Sequence, residues 1–168
     1  MNKNELPKRK NLRLQNYDYS SNGLYFVTIC IKDKKPILSK IVGDDAHIVP
    51  KKIVLKPYGI VVDKYIRRIN DVYDNISVEN YIIMPNHIHL LLVIDRYTPN
   101  GTMWASSPTK VETVVRSLKT MVTKEIGFSM WQRSYNDEII KNEKHFQYVW
   151  NYIEYNALKE YGTKEENV

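Results

Sequence analysis

Apolar and polar positions along this 168-residue chain change period several times, and each change predicts an element. Gly23–Lys32 (GLYFVTICIK) is rich in β-branched and aromatic residues and predicts a first strand, closed by the turn Asp33-Lys34-Lys35-Pro36. A short paired segment is expected around Ala46–Leu55. Pro57 suits the first turn of a helix, and Ile60, Val61, Lys64, Tyr65, Arg68, Ile69 and Val72 carry a helical period to about Val72. Ile76–Met84 and His87–Ile94 read as adjacent antiparallel strands joined at Pro85-Asn86. Residues 95–109 hold turn formers and read as a loop, with Thr109 as the cap of a following helix. In that helix Val111, Val114, Val115, Leu118, Met121, Val122 and Ile126 form the apolar side. Trp131–Ile140 predicts a short strand, and Asn142 caps a last helix running to about Lys159. The order β, β, α, β, β, α, β, α has no internal repeat and reads as an α+β chain.

The outer boundaries follow from composition. Residues 1–22 form a polar, basic arm, residues 23–160 one domain large enough to bury its own core, and residues 161–168 a polar tail. A hydrophobic content of 43% argues against disorder, and no run approaches the roughly 18 apolar residues of a membrane span. The N-terminus is unlike a signal peptide. The single cysteine, Cys30, has no partner for an internal disulfide and reads as a small core residue, which suits a reducing, cytoplasmic setting. With 25 Lys+Arg against 19 Asp+Glu the net charge is +6, which favours a polyanionic partner. Thirteen tyrosines add the prospect of base stacking, although a sheet core is the ordinary place for most of them.

The chemistry concentrates in Tyr81–Ile94, YIIMPNHIHLLLVI, which holds two of the four histidines. Strand residues two apart share a face, so His87 and His89 project together and Ile88 points into the opposite layer. Two neutral imidazoles side by side on a strand are most of a small metal site. The plainer reading is a pair of ordinary sheet histidines.

The letters M-P-N-H-x-H-L-L after a strand resemble the His–hydrophobic–His (HUH) motif of the single-tyrosine transposases, the insertion-sequence and REP-associated kind. The N-terminal RKNLRLQNYDYSSNGLYFVTICIKDKKPIL is similar to the opening of the REP-associated group. VVRSLKTMVTKEI and WQRSYNDEIIKNEKHFQYVWNYIEYN are similar to the family's later helix, its W-Q-R-x-Y segment and its final helix. The similarity spans residues 9–159. It implies a ferredoxin-like antiparallel sheet with helices on one face, the HUH endonuclease fold. It also implies a metal-dependent single-stranded DNA endonuclease and strand transferase, acting on hairpin-containing DNA through a 5′-phosphotyrosine.

The family carries its nucleophile on the final helix, with a polar metal ligand one turn later. Among the tyrosines there and nearby (Tyr135, Tyr148, Tyr152, Tyr155, Tyr161), only Tyr152 combines a secure helix with a neutral oxygen donor, Asn156, at the offset that shares a helix face. The family often has proline after that Asn; here it is Ala157. The resemblance thus implies Tyr152 as nucleophile and His87, His89 and Asn156 around one Mg²⁺ or Mn²⁺. Asn86 reads as a turn residue, and His47 and His145 match no part of the motif. Candidate DNA contacts are Arg9 and Arg13 in the arm, Arg116 and Lys119 on the second long helix, and Lys159. Lys64, Arg67, Arg68, Lys124, Tyr17, Tyr19 and Trp104 are further candidates. The partner is single-stranded or hairpin DNA, with no membrane, and the active unit is a monomer or a homodimer. Three rivals stand beside this reading: a domesticated hairpin-binding protein without transposition, a metal hydrolase that attacks with water, and an RNA-binding ferredoxin-like domain.

Overall fold

The strand and helix periods fold into six strands and four helices in the computed structural model, which describes residues 22–43, 52–95 and 109–156. In chain order these are β1 (Gly23–Cys30), β2 (Ser39–Val42), β3 (Lys52–Leu55), α1 (Pro57–Arg67) and α2 (Ile69–Val72), then β4 (Ile76–Ile83), β5 (His87–Ile94), α3 (Val111–Ile126), β6 (Asn136–Ile140) and α4 (Glu143–Asn151). A π-helical turn, Tyr152–Asn156, follows α4 directly. Arg9, Arg13, Tyr17, Tyr19, His47, Trp104 and Lys159 lie outside the described residues.

Strands β4, β5, β1 and β6 form one sheet in that spatial order, and every neighbouring pair is antiparallel. With helices crossing between β1 and β4 and between β5 and β6, this is the expected α+β, ferredoxin-like arrangement. Alternation along the central strands sorts the sheet into two faces. Tyr25, Val27 and Ile29 of β1 and Ile88, Leu90, Leu92 and Ile94 of β5 are almost fully buried against α1 and α3. The opposite face carries Leu24, Phe26 and Leu91, which pack with Val149 and Ile153 of the last helical segment. The two crossover helices therefore share one face, and α4 covers part of the other.

Several sequence boundaries shift, each for a local reason. The first strand ends at Cys30 rather than Lys32, because Asp33 (φ 59°) and Lys34 (φ 52°) turn left-handed and take the chain out of the sheet. The short paired segment expected at Ala46–Leu55 is the β2–β3 hairpin, Ser39–Val42 against Lys52–Leu55, with residues 44–51 outside the described set. The first helix breaks at Arg68, where the backbone stays near-helical (φ −68°, ψ −14°) and so leaves the apolar period undisturbed. Lys110, not Thr109, holds the N-cap position of α3, without a side-chain bond. The strand expected from Trp131 begins at Asn136; Trp131 makes a single bridge to Ile31. Asn142 caps α4 as expected, its side-chain oxygen accepting from the His145 amide at 2.9 Å.

One glycine is required for the packing. The chain entering β2 crosses the first turn of α1 so closely that a Cβ on Gly59 would lie 2.0 Å from the Leu38 carbonyl oxygen. In an open helix, replacing glycine by alanine gains about 1 kcal/mol. Here the clash with backbone reverses the sign, and Gly59→Ala is expected to lower unfolding stability by about 1–3 kcal/mol in urea titration. A gain in stability would contradict the close crossing.

Candidate functional site

Register determines which side chains meet the two histidines. Thr28 lies opposite His89 and Cys30 opposite His87 across the β1–β5 pair. His87 and His89 sit on the face away from α1 and α3, while Ile88 between them is fully buried in the main core. Their Nε2 atoms are 3.0 Å apart and their ring planes nearly perpendicular at 77°. His87 is half-buried, and His89 is 6% exposed.

Each ring is held from behind by an oxygen. His87 Nδ1 is 2.6 Å from Asn86 Oδ1, and His89 Nδ1 is 2.9 Å from Thr28 Oγ1. An amide oxygen only accepts, so His87 Nδ1 carries a proton, and in the neutral ring Nε2 is then the lone pair. His89 Nε2–H then donates to that lone pair, and the Thr28 hydroxyl donates to His89 Nδ1. A hydroxyl can also accept. If Thr28 turns over, His89 takes the other tautomer and both Nε2 lone pairs converge on one point. Phe26 completes the support, stacked on His89 with centroids 5.0 Å apart at 20°.

Tyr152, the first residue of the π-helical turn, closes the site from the opposing layer. Its ring meets His89 edge-on at 5.3 Å and Phe26 at 6.1 Å. Tyr148 and Tyr155, its neighbours on the same segment, are 66% and 65% exposed. The turn is tied to the outer strand β4, where Asn80 Nδ2 donates to Glu154 Oε1 at 2.9 Å beside an irregularity in the ladder. π-Helical turns are rare and concentrate at functional sites. The backbone of Asn156 ends the turn four residues after Tyr152; its side chain lies outside the described set.

The structure thus brings His87, His89 and Tyr152 together. Two positioning residues, Thr28 and Asn86, escaped the sequence reading. Thr28 is legible only from the β1–β5 register, and the neighbours of Asn86 mark it as a turn residue alone. The basic candidates stand elsewhere. Arg116 and Lys119 lie on α3, behind the sheet from the histidines. Arg116 pairs with Glu112 at 3.0 Å, and Lys119 Nζ donates to the carbonyls of Gln132 and Ser134 at 2.9 and 3.1 Å. Lys64 pairs with Glu125 at 2.7 Å and Arg67 with Asp63 at 2.8 Å. His145 sits against Glu138 at 3.3 Å, outside the cluster.

The donor set suits a divalent cation. Burial, together with the charge of the neighbouring His87, pushes the His89 pKa down to about 3, so His89 is neutral at physiological pH. Nitrogens 3.0 Å apart match a cis edge of an octahedron with bonds of about 2.1 Å. Oxygen partners on Nδ1 are the usual outer support of metal-binding histidines. Among the described residues no three His, Cys, Asp or Glu side chains converge.

Comparison with known proteins extends this picture. A family model described as "Transposase IS200 like" matches residues 19–156. An uncharacterized protein of Haemophilus influenzae is 29% identical over 167 residues, covering 89% of this chain and 88% of its own length. Among solved structures, a REP-associated tyrosine transposase bound to a REP hairpin superposes with a TM-score of 0.62 at 15% identity, covering 88% of this chain and 74% of its own. At that identity the likeness is one of fold.

Acid stability reads out the buried imidazole. The unfolded chain takes up a proton on His89 near pH 6.5, whereas the folded chain resists it down to about 3. Stability from this group is therefore complete above pH 6.5 and declines as the pH falls towards 3, by up to about 1.4 kcal/mol per unit. Denaturation in chelator should show a shallower acid slope for His89→Gln than for the wild type. Equal slopes would mean that His89 is not held neutral.

Proposed function

The chain belongs to the IS200-like transposase family, and on that footing we propose that it is a metal-dependent endonuclease and strand transferase for single-stranded DNA. Tyr152 is its nucleophile. The observation that carries this reading is the contact of the Tyr152 ring with His89, 5.3 Å between centroids, beside two Nε2 atoms 3.0 Å apart.

In the proposed reaction, the Tyr152 phenol loses its proton and its oxygen attacks a backbone phosphorus. The P–O3′ bond breaks, and the leaving oxygen departs as a free 3′-OH. The strand remains joined through a 5′-phosphotyrosine. Attack by a second 3′-OH reverses these steps and joins the strands, so bond energy is conserved without water or nucleotide hydrolysis. A tyrosine phenol is ordinarily protonated at neutral pH, so attack requires the site to favour the phenolate.

His87, His89 and Asn156 would hold the divalent ion, Mg²⁺ or Mn²⁺, which when bound supplies positive charge to a non-bridging phosphate oxygen. Thr28 and Asn86 orient the two rings, and Phe26 and His89 limit where the Tyr152 ring can lie. The substrate proposed is hairpin-containing single-stranded DNA, supported by the REP hairpin bound to the structural relative.

The nucleophile is tested by incubating the protein with labelled single-stranded hairpins and Mn²⁺. Wild type is expected to give a protein–DNA adduct that survives boiling in detergent, and Tyr152→Phe none. An adduct of unchanged yield from Tyr152→Phe would refute the assignment, and cleavage without an adduct would favour a hydrolase that attacks with water. The outer support is tested by calorimetric Mn²⁺ titration. Thr28→Val, which can neither donate nor accept, should weaken binding about 10–100-fold, while Thr28→Ser retains it. Equal loss in both variants would contradict the role given to the hydroxyl.

A further inference from the structure

Resting on the single-stranded DNA reading above, we propose that the turn Lys32–Lys35 and the neighbouring aromatic pair Tyr58–Phe128 form a second DNA-contact surface, a track for the strand running past the histidine end of the sheet. None of these residues belongs to the His–Tyr cluster.

Placement is the first argument. β1 ends at Cys30, opposite His87. On one side of the turn the Ile31 amide donates to the Asn86 carbonyl at 2.8 Å; on the other, the Leu38 amide donates to the Pro85 carbonyl at 3.0 Å. Both ends of the segment are therefore tied to the loop that carries the partner of His87. Burial pushes the Cys30 thiol pKa up, opposed by the charges of Lys34 and Lys119.

Charge is the second. Lys32, Lys34 and Lys35 are exposed, and none forms an ion pair with a described residue. Asp33 is the one acidic group in the turn. By contrast, Lys64, Arg67 and Arg116, on the helices behind the sheet, are neutralised by carboxylates at 2.7, 2.8 and 3.0 Å. Three exposed cations with no ion-pair partner among the described residues thus stand at the end of the sheet where a DNA strand would leave the histidines.

Backbone geometry is the third. Asp33 and Lys34 stand consecutively at φ 59° and 52°, a left-handed conformation that side-chain-bearing residues seldom adopt. The surroundings hold it, with the Lys32 amide donating to the Met130 carbonyl at 2.8 Å and the Lys34 amide to the Ile31 carbonyl at 3.2 Å. A backbone held in this way fixes where the lysine side chains leave the surface, with their flexible stems free to follow a phosphate chain.

Aromatic surface is the fourth. Phe128 precedes Met130 by two residues, and Tyr58 adjoins Gly59, which abuts the Leu38 carbonyl. The two rings meet edge to face at 5.4 Å, yet Tyr58 is 36% and Phe128 45% exposed. Cations that follow the phosphates beside exposed rings that stack on bases are the two parts of a sequence-tolerant single-strand site.

The test is fluorescence anisotropy of the whole chain with a labelled oligothymidine across a range of salt, without divalent ion so that no cleavage intervenes. The triple variant Lys32→Gln, Lys34→Asn, Lys35→Gln uses asparagine at 34 because it tolerates the left-handed backbone. Its plot of log affinity against log salt should be shallower by about 2, from three contacts at roughly 0.7 each. Phe128→Ala should weaken binding about tenfold at fixed salt and leave the slope unchanged. A control triple, Lys64→Gln, Arg67→Gln, Arg116→Gln, removes the same charge from the far face and should keep the wild-type slope. Should the turn triple melt early, Lys35→Gln alone must lower the slope by about 0.7. Equal changes in the two triples, a wild-type slope in the turn triple, or no oligothymidine binding at all would overturn the proposal. A missing covalent adduct would count against the nuclease reading and leave this result standing.

Discussion

The register of β5 is the constraint on which the rest of the structure depends. Ile88, Leu90, Leu92 and Ile94 fill the space beneath α1 and α3, and Leu91 is buried on the reverse face. Because side chains alternate, a slip of one residue would drive His87 and His89 into the helix layer and expose the apolar set. Moving two imidazoles into an apolar core without partners costs several kcal/mol, in addition to the lost burial of four aliphatic side chains. The same packing that stabilises the sheet therefore fixes the histidine pair on the face where Tyr152 arrives.

The two sheet faces divide the work. The α1–α3 face is the large core, and Lys64, Arg67, Arg116 and Lys119 of those helices are held by local ion pairs and by carbonyls of the 132–134 segment. Among the described residues the other face is only partly covered. Val149 and Ile153 seat the last helical segment on Leu91 and Ile140, and Asn80 grips Glu154, so Tyr152 is held against His89 without being sealed from solvent.

Much of this was legible in the sequence because it follows from periodicity. The strand alternation through Ile88 and the helical apolar stripe from Val111 to Ile126 appear where expected, and Asn142 caps α4. What was not legible depends on contacts between distant segments. Thr28 becomes a partner of His89 only through cross-strand register, which local pattern does not encode. Asn86 reads as a turn former because its second role, on the His87 ring, depends on a rotamer. The break at Arg68 keeps near-helical angles and leaves no mark in the apolar spacing. Charge is legible without its partners: the Glu112 carboxylate beside Arg116 and the carbonyls that Lys119 meets come from other turns and segments, as do the Asn86 and Pro85 carbonyls that tie down the two ends of the 31–38 segment.

These features describe a sheet that carries two imidazoles, His89 held neutral, an oxygen partner behind each ring, and a phenol delivered from the last helical segment. The most direct measurement of the account is peptide mapping by tandem mass spectrometry of the nuclease-trimmed product formed with a single-stranded hairpin and Mn²⁺. The account predicts a 5′-linked nucleotide on the peptide containing Tyr152, attached at that residue. Attachment to Tyr148 or Tyr155, or cleaved DNA with no modified peptide, would contradict it.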